Sequence, residues 1–152
     1  RILYLRLKNF KFPKSRLQLK RIKNFQIIDD SYNSNPSSLV HALEAFKKYT
    51  TVGKKVLVLG DMLELGKYQD NFHREVAKDI ILAGINILIT VGEASSLTAQ
   101  TLRNLGFKDR KIHICQDIKD AQSRLLDLLK EDDVVLLKGS RKMHLEKIIE
   151  GI

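Results

Sequence analysis

Short apolar runs alternate along this chain with stretches in which apolar residues return every three or four positions, the pattern of strands and helices in turn. Residues 25–28 read as a strand, with 17–22 as its hairpin partner. A helix follows over 36–49: proline suits the first helical position, Asn35 is a natural N-cap, and Leu39, Leu43 and Phe46 share one face. The run 56–59, ending at Gly60, is apolar at every position, as expected of a parallel strand covered on both faces. A second helix spans 70–83, with Phe72, Val76 and Ile80 turned inward and Gly84 as its stop. Then come a strand at 85–91, a helix over 95–104 closed by Gly106, and a short strand at 111–115. Asp117 caps a helix reaching about 130, with Ala121, Leu125 and Leu128 as its apolar stripe. Residues 134–137 form the last strand, and a final helix starts near Lys142. This order predicts an α/β fold on a mostly parallel sheet, with one antiparallel edge strand near the N-terminus.

A length of 152 residues with 43% hydrophobic content fits one globular domain with a full core. The longest mostly apolar stretch, 80–91, is too short for a bilayer and is broken by Gly84 and Asn86, so no membrane partner is expected. The single cysteine, Cys115, rules out an internal disulfide and a multi-cysteine metal site, and it reads as a buried structural thiol. A net charge of +9 would point to nucleic acid if it were spread over the body. Instead, nine basic residues (Arg1 to Lys23) precede the first acid, Asp29, and beyond it 18 Lys and Arg balance 18 Asp and Glu. With no aromatic-studded basic surface or helix-turn-helix pattern, no nucleic-acid partner is expected.

Three polar segments directly follow strands: Asp29-Asp30-Ser31-Tyr32-Asn33-Ser34-Asn35-Pro36, Leu59-Gly60-Asp61-Met62-Leu63-Glu64-Leu65-Gly66, and Leu137-Lys138-Gly139-Ser140-Arg141. Ligands of open α/β sheets sit beyond the carboxyl ends of the strands, so the three segments are expected on one rim. Each residue in them has two readings. Asp30 is a turn-solvating carboxylate or an acceptor for a ribose diol; Asn33 and Asn35 are turn and cap residues or ligand contacts; Tyr32 packs on its loop or faces a ligand. Lys138 and Arg141 flank a Gly-Ser turn, a solvated pair or an anion site. His73 reads first as an ordinary helix histidine, and no second His or Cys stands at metal-ligand spacing.

In order and spacing these segments, with His73 and Glu146, resemble the C-terminal domain of the Mur ligases, in particular the D-alanyl-D-alanine-adding family (MurF), over roughly residues 14–149. The resemblance departs at Ser15, where the family usually has glycine. It implies a Rossmann-like three-layer domain at 14–152, and it makes 1–13 the tail of a central ATPase domain plus a linker. It also implies a cytoplasmic three-domain enzyme of peptidoglycan synthesis. In that family the terminal carboxylate of UDP-N-acetylmuramoyl-tripeptide takes the γ-phosphoryl group of ATP, and the amine of D-Ala-D-Ala displaces phosphate from the acyl phosphate. By resemblance, Arg16 reaches the ATP phosphates and Asp30 holds the ribose. Lys138, Ser140 and Arg141 are candidates for the dipeptide carboxylate, while Tyr32, Asn33 and Asn35 shape the substrate side. His73 matches a family position without an assigned role, and no catalytic or metal-ligating residue is expected in this stretch. ATP and Mg2+ are expected to be held mainly by the central domain, because no Gly-x-x-x-x-Gly-Lys-Ser/Thr occurs among these residues. A sister amino-acid-adding ligase, folylpolyglutamate synthase and a free-standing nucleotide-binding module are the alternatives. Tyr32-Asn33 stands against the sister enzymes, which tend to carry a histidine near that place.

Overall fold

A computed structural model describes residues 17–152, and in it the apolar runs become six strands of one sheet. They are β1 (Gln18–Ile22), β2 (Phe25–Asp30), β3 (Lys55–Gly60), β4 (Ile87–Val91), β5 (Ile112–Cys115) and β6 (Val134–Lys138). Their spatial order is β1-β2-β6-β3-β4-β5; β1 pairs antiparallel with β2, and every other pairing is parallel. Arg16 and the 1–13 segment lie outside the described residues.

Five α-helices cover the sheet: α1 (Pro36–Lys48), α2 (Gln69–Leu82), α3 (Glu93–Asn104), α4 (Ile118–Leu128) and the short α5 (Lys147–Glu150). Alternation along each strand divides the core in two. Leu57 and Leu59 of β3 pack with Leu39 and Phe46 of α1, Val76 and Ile80 of α2 and Leu102 of α3. Val56 and Val58 of the same strand pack on the opposite face with Ala121 and Leu125 of α4 and Ile148 of α5. The chain crosses the sheet in one direction from β2 to β5 and then returns to β6, between β2 and β3. Crossovers of one hand therefore put α1 to α3 on one face and α4 on the other. At β6 the neighbouring connections leave toward opposite faces, and a crevice opens there.

The caps are local and formed as expected. Asn35 begins α1 with a capping box, its Oδ1 accepting from Ser38 N–H at 2.8 Å while Ser38 Oγ accepts from Asn35 N–H at 3.0 Å. Asp117 Oδ1 accepts from Asp120 N–H at 2.9 Å at the start of α4. Gly84 and Gly106, both at positive φ, end α2 and α3.

Several boundaries differ from the sequence reading, among them β4, which starts at Ile87 rather than at 85, and α4, which ends at Leu128. Strand β2 runs on through Asp29 and Asp30, which pair with Leu137 and Lys138 of β6. A 3₁₀ turn at Gly66–Tyr68 leads into α2. Helix α3 starts two residues early, for a reason given below. The final helix does not start near Lys142: a 3₁₀ turn at Arg141–Met143 ends at His144 in the left-handed region (φ 51°), and α5 begins only at Lys147. That interruption drops the fully buried Leu145 under the ends of β3 and β6. Among the described residues no helix is long and apolar enough to cross a membrane.

Candidate functional site

The segments that follow β2, β3 and β6 meet at the crevice around a cleft of about 400 Å³ lined by Tyr32, Asn33, Leu63, Glu64, Ser140 and Arg141, with Lys142 and His144 at its side. Two glycines let the strand ends come this close. A Cβ on Gly139 would stand 2.8 Å from Leu145 Cδ1 and 3.1 Å from the Gly60 Cα.

Buried polar side chains tie the three segments together. The Lys138 side chain is only 3% exposed; its Nζ lies 2.9 Å from Asp30 Oδ2 and donates to the Asn33 carbonyl oxygen at 2.7 Å. The other carboxylate oxygen of Asp30 accepts from the Leu17 N–H at 3.2 Å. A cation so enclosed must be paired, and this one braces the β2–α1 segment. Ser140 joins all three segments. Its N–H donates to the Asp61 carbonyl oxygen at 3.0 Å, its Oγ accepts from the Leu63 N–H at 2.7 Å, and the hydroxyl reaches the Ser34 carbonyl at 3.5 Å.

Two cations stand at the mouth. The Arg141 guanidinium lies 5.1 Å from the centre of the Tyr32 ring and 3.4 Å from the Tyr32 hydroxyl, while remaining exposed. Lys142 makes an exposed ion pair with Glu64 at 3.4 Å. The cleft thus offers a stacked guanidinium at its rim, and the buried charges below are already paired.

The candidate residues separate accordingly. Asp30, Tyr32, Asn33, Lys138, Ser140 and Arg141 are brought together, with Asp30 and Arg141 on the same rim. Asn33 Oδ1 accepts from the Ser34 N–H at 2.8 Å, and the Asn35 side chain is taken up by the α1 cap. His73 does not line the cleft. It is fully buried on α2 beneath the β3–α2 segment, where its Nε2 accepts from the Met62 N–H at 3.0 Å. Burial lowers its pKa below the usual 6.5, against the opposing pull of the Asp61 carboxylate, the Met62 backbone and the Asp70 carboxylate. Cys115 is buried, and desolvation together with neighbouring carboxylates raises its thiol to about 11, the behaviour of a packing residue.

Asp61 escaped the sequence reading. Its Oδ1 accepts from the Ser95 N–H at 2.7 Å and its Oδ2 from the Ala94 N–H at 3.2 Å, so a carboxylate on the β3 segment caps α3. This is why α3 starts early. The one local signal is Gly92, at φ 118°, which supplies no cap of its own and leaves space for Asp61, which a Cβ there would overlap. Among the described residues no three His, Cys, Asp or Glu side chains converge to hold a metal.

Residues 15–141 match the family described as Mur ligase, glutamate ligase domain. The UDP-N-acetylmuramoyl-tripeptide–D-alanyl-D-alanine ligase of Bacillus subtilis is 34% identical over 147 residues, covering 96% of this chain and 32% of that protein. A crystal structure of MurF from Acinetobacter baumannii aligns with a TM-score of 0.82 at 26% identity, over 95% of this chain and 32% of that one. MurF ligase from Thermotoga maritima in complex with ADP aligns with a TM-score of 0.77 at 26% identity, over 96% of this chain and 32% of that one. The chain spans about a third of the length of these relatives.

Proposed function

This chain belongs to the Mur ligase family as a glutamate ligase domain, and from that premise we propose that it is the C-terminal domain of the cytoplasmic ATP-dependent ligase that joins D-Ala-D-Ala to UDP-N-acetylmuramoyl-tripeptide in peptidoglycan precursor synthesis. The observation that carries the reading is the likeness to the Bacillus subtilis ligase of that name across 96% of the chain. The cleft supports it by offering an exposed guanidinium to an anionic ligand at the rim where open α/β sheets bind.

Within this reading Arg141 takes the dipeptide carboxylate, its plane held by the Tyr32 ring. Lys138 and Ser140 act from below by fixing the segments that carry Tyr32, Asn33 and Leu63. Asp30, with one partner on each carboxylate oxygen, keeps lone pairs for a ribose hydroxyl, and Arg16 reaches the phosphates of ATP. In this reading the Mg2+ that offsets phosphate charge is held mainly by the central domain. The domain's share of the chemistry is positioning: it presents the dipeptide amine to an acyl phosphate formed elsewhere.

The test joins this chain to the first two domains of the Bacillus subtilis ligase and follows phosphate release with UDP-N-acetylmuramoyl-tripeptide and different amines. Release that depends on D-Ala-D-Ala is expected. Arg141→Ala should raise the dipeptide KM roughly tenfold to a hundredfold, the loss of one charge-assisted contact, with less change in kcat. Preference for a single amino acid such as diaminopimelate would transfer the chain to a sister ligase. An unchanged KM in the variant would remove Arg141 from the carboxylate site.

A further inference from the structure

We propose that His73 is a positioning residue for the cleft: as a neutral imidazole carrying its hydrogen on Nδ1, it holds the β3–α2 segment where Leu63 meets Ser140. The hydrogen count fixes the tautomer. Thr98 has one hydroxyl hydrogen, and it is donated to the His73 carbonyl oxygen at 2.6 Å. The same Thr98 oxygen lies 3.3 Å from His73 Nδ1 and can only accept there, so Nδ1 carries the hydrogen. Nε2 is left with a lone pair, and the Met62 N–H points at it from 3.0 Å.

The held peptide sits at a telling place. Met62 lies between Asp61, whose carbonyl accepts from the Ser140 N–H, and Leu63, whose N–H donates to Ser140 Oγ. One imidazole therefore pins Met62, which stands between the two residues of the β3 segment that Ser140 bonds. His73 is 0% exposed, which keeps bulk water from replacing the contact. A hydrogen on Nε2 would set two N–H groups against each other and release the segment. The charged groups facing the ring are Asp61 from the β3 segment and Asp70 from its own helix, and α3 contributes the uncharged Thr98. Burial outweighs both carboxylates and the Met62 backbone, which pull the other way, and keeps the ring neutral. The bond is therefore intact above pH 6.5 and is lost as pH falls through the lowered pKa.

Two substitutions in the 152-residue chain test this. His73→Gln places an amide oxygen near the Nε2 position and cannot titrate, while His73→Phe keeps a ring and removes the acceptor. In the native chain, nitrogen chemical shifts should report a protonated Nδ1 and a bare Nε2. The protection factor of the Met62 amide should fall about tenfold in His73→Phe, the order of one buried hydrogen bond, and stay near native in His73→Gln. On acidification below pH 6.5, protection should fall in the native chain and remain level in His73→Gln. A hydrogen on Nε2, or a glutamine variant that loses protection as the phenylalanine variant does, would overturn the proposal. If His73→Phe does not fold, the tautomer and the acid response of His73→Gln still decide it. None of these readouts depends on which ligand fills the cleft, so the ligase reading can fail without this one failing.

Discussion

Lys138 shows how a single side chain at this rim is committed before any ligand arrives. Its side chain is 3% exposed, and its ammonium touches both the Asp30 carboxylate and the Asn33 carbonyl. Removing it strands a carboxylate and a carbonyl in a place water barely reaches. Lys138→Met, which keeps the stem, should cost about 3–5 kcal/mol in urea unfolding, as for one-sided removal of a buried pair. Adding Asp30→Asn should recover part of that loss, because the stranded charge goes with it. A cost below about 1 kcal/mol, or simple additivity in the double variant, would show that the brace is not a coupled pair. Residues of this kind mark where the sequence could be read and where it could not. Asn35 and Asp117 were legible as caps because a cap and its helix are neighbours in the chain. Asp61 was not, since its partners Ala94 and Ser95 lie more than thirty residues away and nothing local joins them. Lys138 read as a candidate ligand contact because a sequence shows a cation but not the carboxylate buried against it.

The strand periodicity was strong enough to place every strand to within a few residues, whereas the order of the strands depends on pairings the chain makes only at long range. Insertion of β6 between β2 and β3 brings Gly60 and Gly139 face to face above Leu145. Gly60 was visible as the residue ending an apolar run and Gly139 as part of a Gly-Ser turn; their mutual contact was not. The junction makes a prediction for these two strands. A methyl group at 139 would lie 3.1 Å from the Gly60 Cα, a backbone atom that cannot swing away, as well as 2.8 Å from the end of Leu145. Gly139→Ala should therefore destabilise the chain by roughly 1–3 kcal/mol, the usual cost of overpacking. Pairing it with Leu145→Ala should not relieve the backbone contact, so the double variant should be less stable than either single one. Thermal unfolding of the three variants checks this, and a neutral Gly139→Ala would mean that the two strand ends are not in contact. The final helix failed in the sequence reading for a related reason: burying Leu145 in this junction requires the left-handed turn at His144, and no periodicity records that demand.

At the scale of the whole molecule, the proposed function gives the cleft binding and orientation and leaves phosphoryl transfer to another domain. No phosphate-cradling loop of the Gly-x-x-x-x-Gly-Lys-Ser/Thr type occurs in the 152 residues. Under the proposed function, catalysis needs the ligand held here and the acyl phosphate made in another domain to meet within bonding distance. A covalent linker supplies that meeting at an effective concentration on the order of millimolar, so severing it should have a calculable effect. The purified chain alone should show no ATP turnover. Supplied in trans at about 10 μM to the first two domains of the Bacillus subtilis ligase, it should restore roughly a hundredth of the joined enzyme's rate. That rate should rise in proportion to chain concentration and fall on Arg141→Ala. Turnover by the chain alone that Arg141→Ala abolishes would place the chemistry inside this domain. A trans rate equal to the joined rate would mean that the domains bind each other tightly without the linker, and the positioning would then belong to an interface outside the cleft.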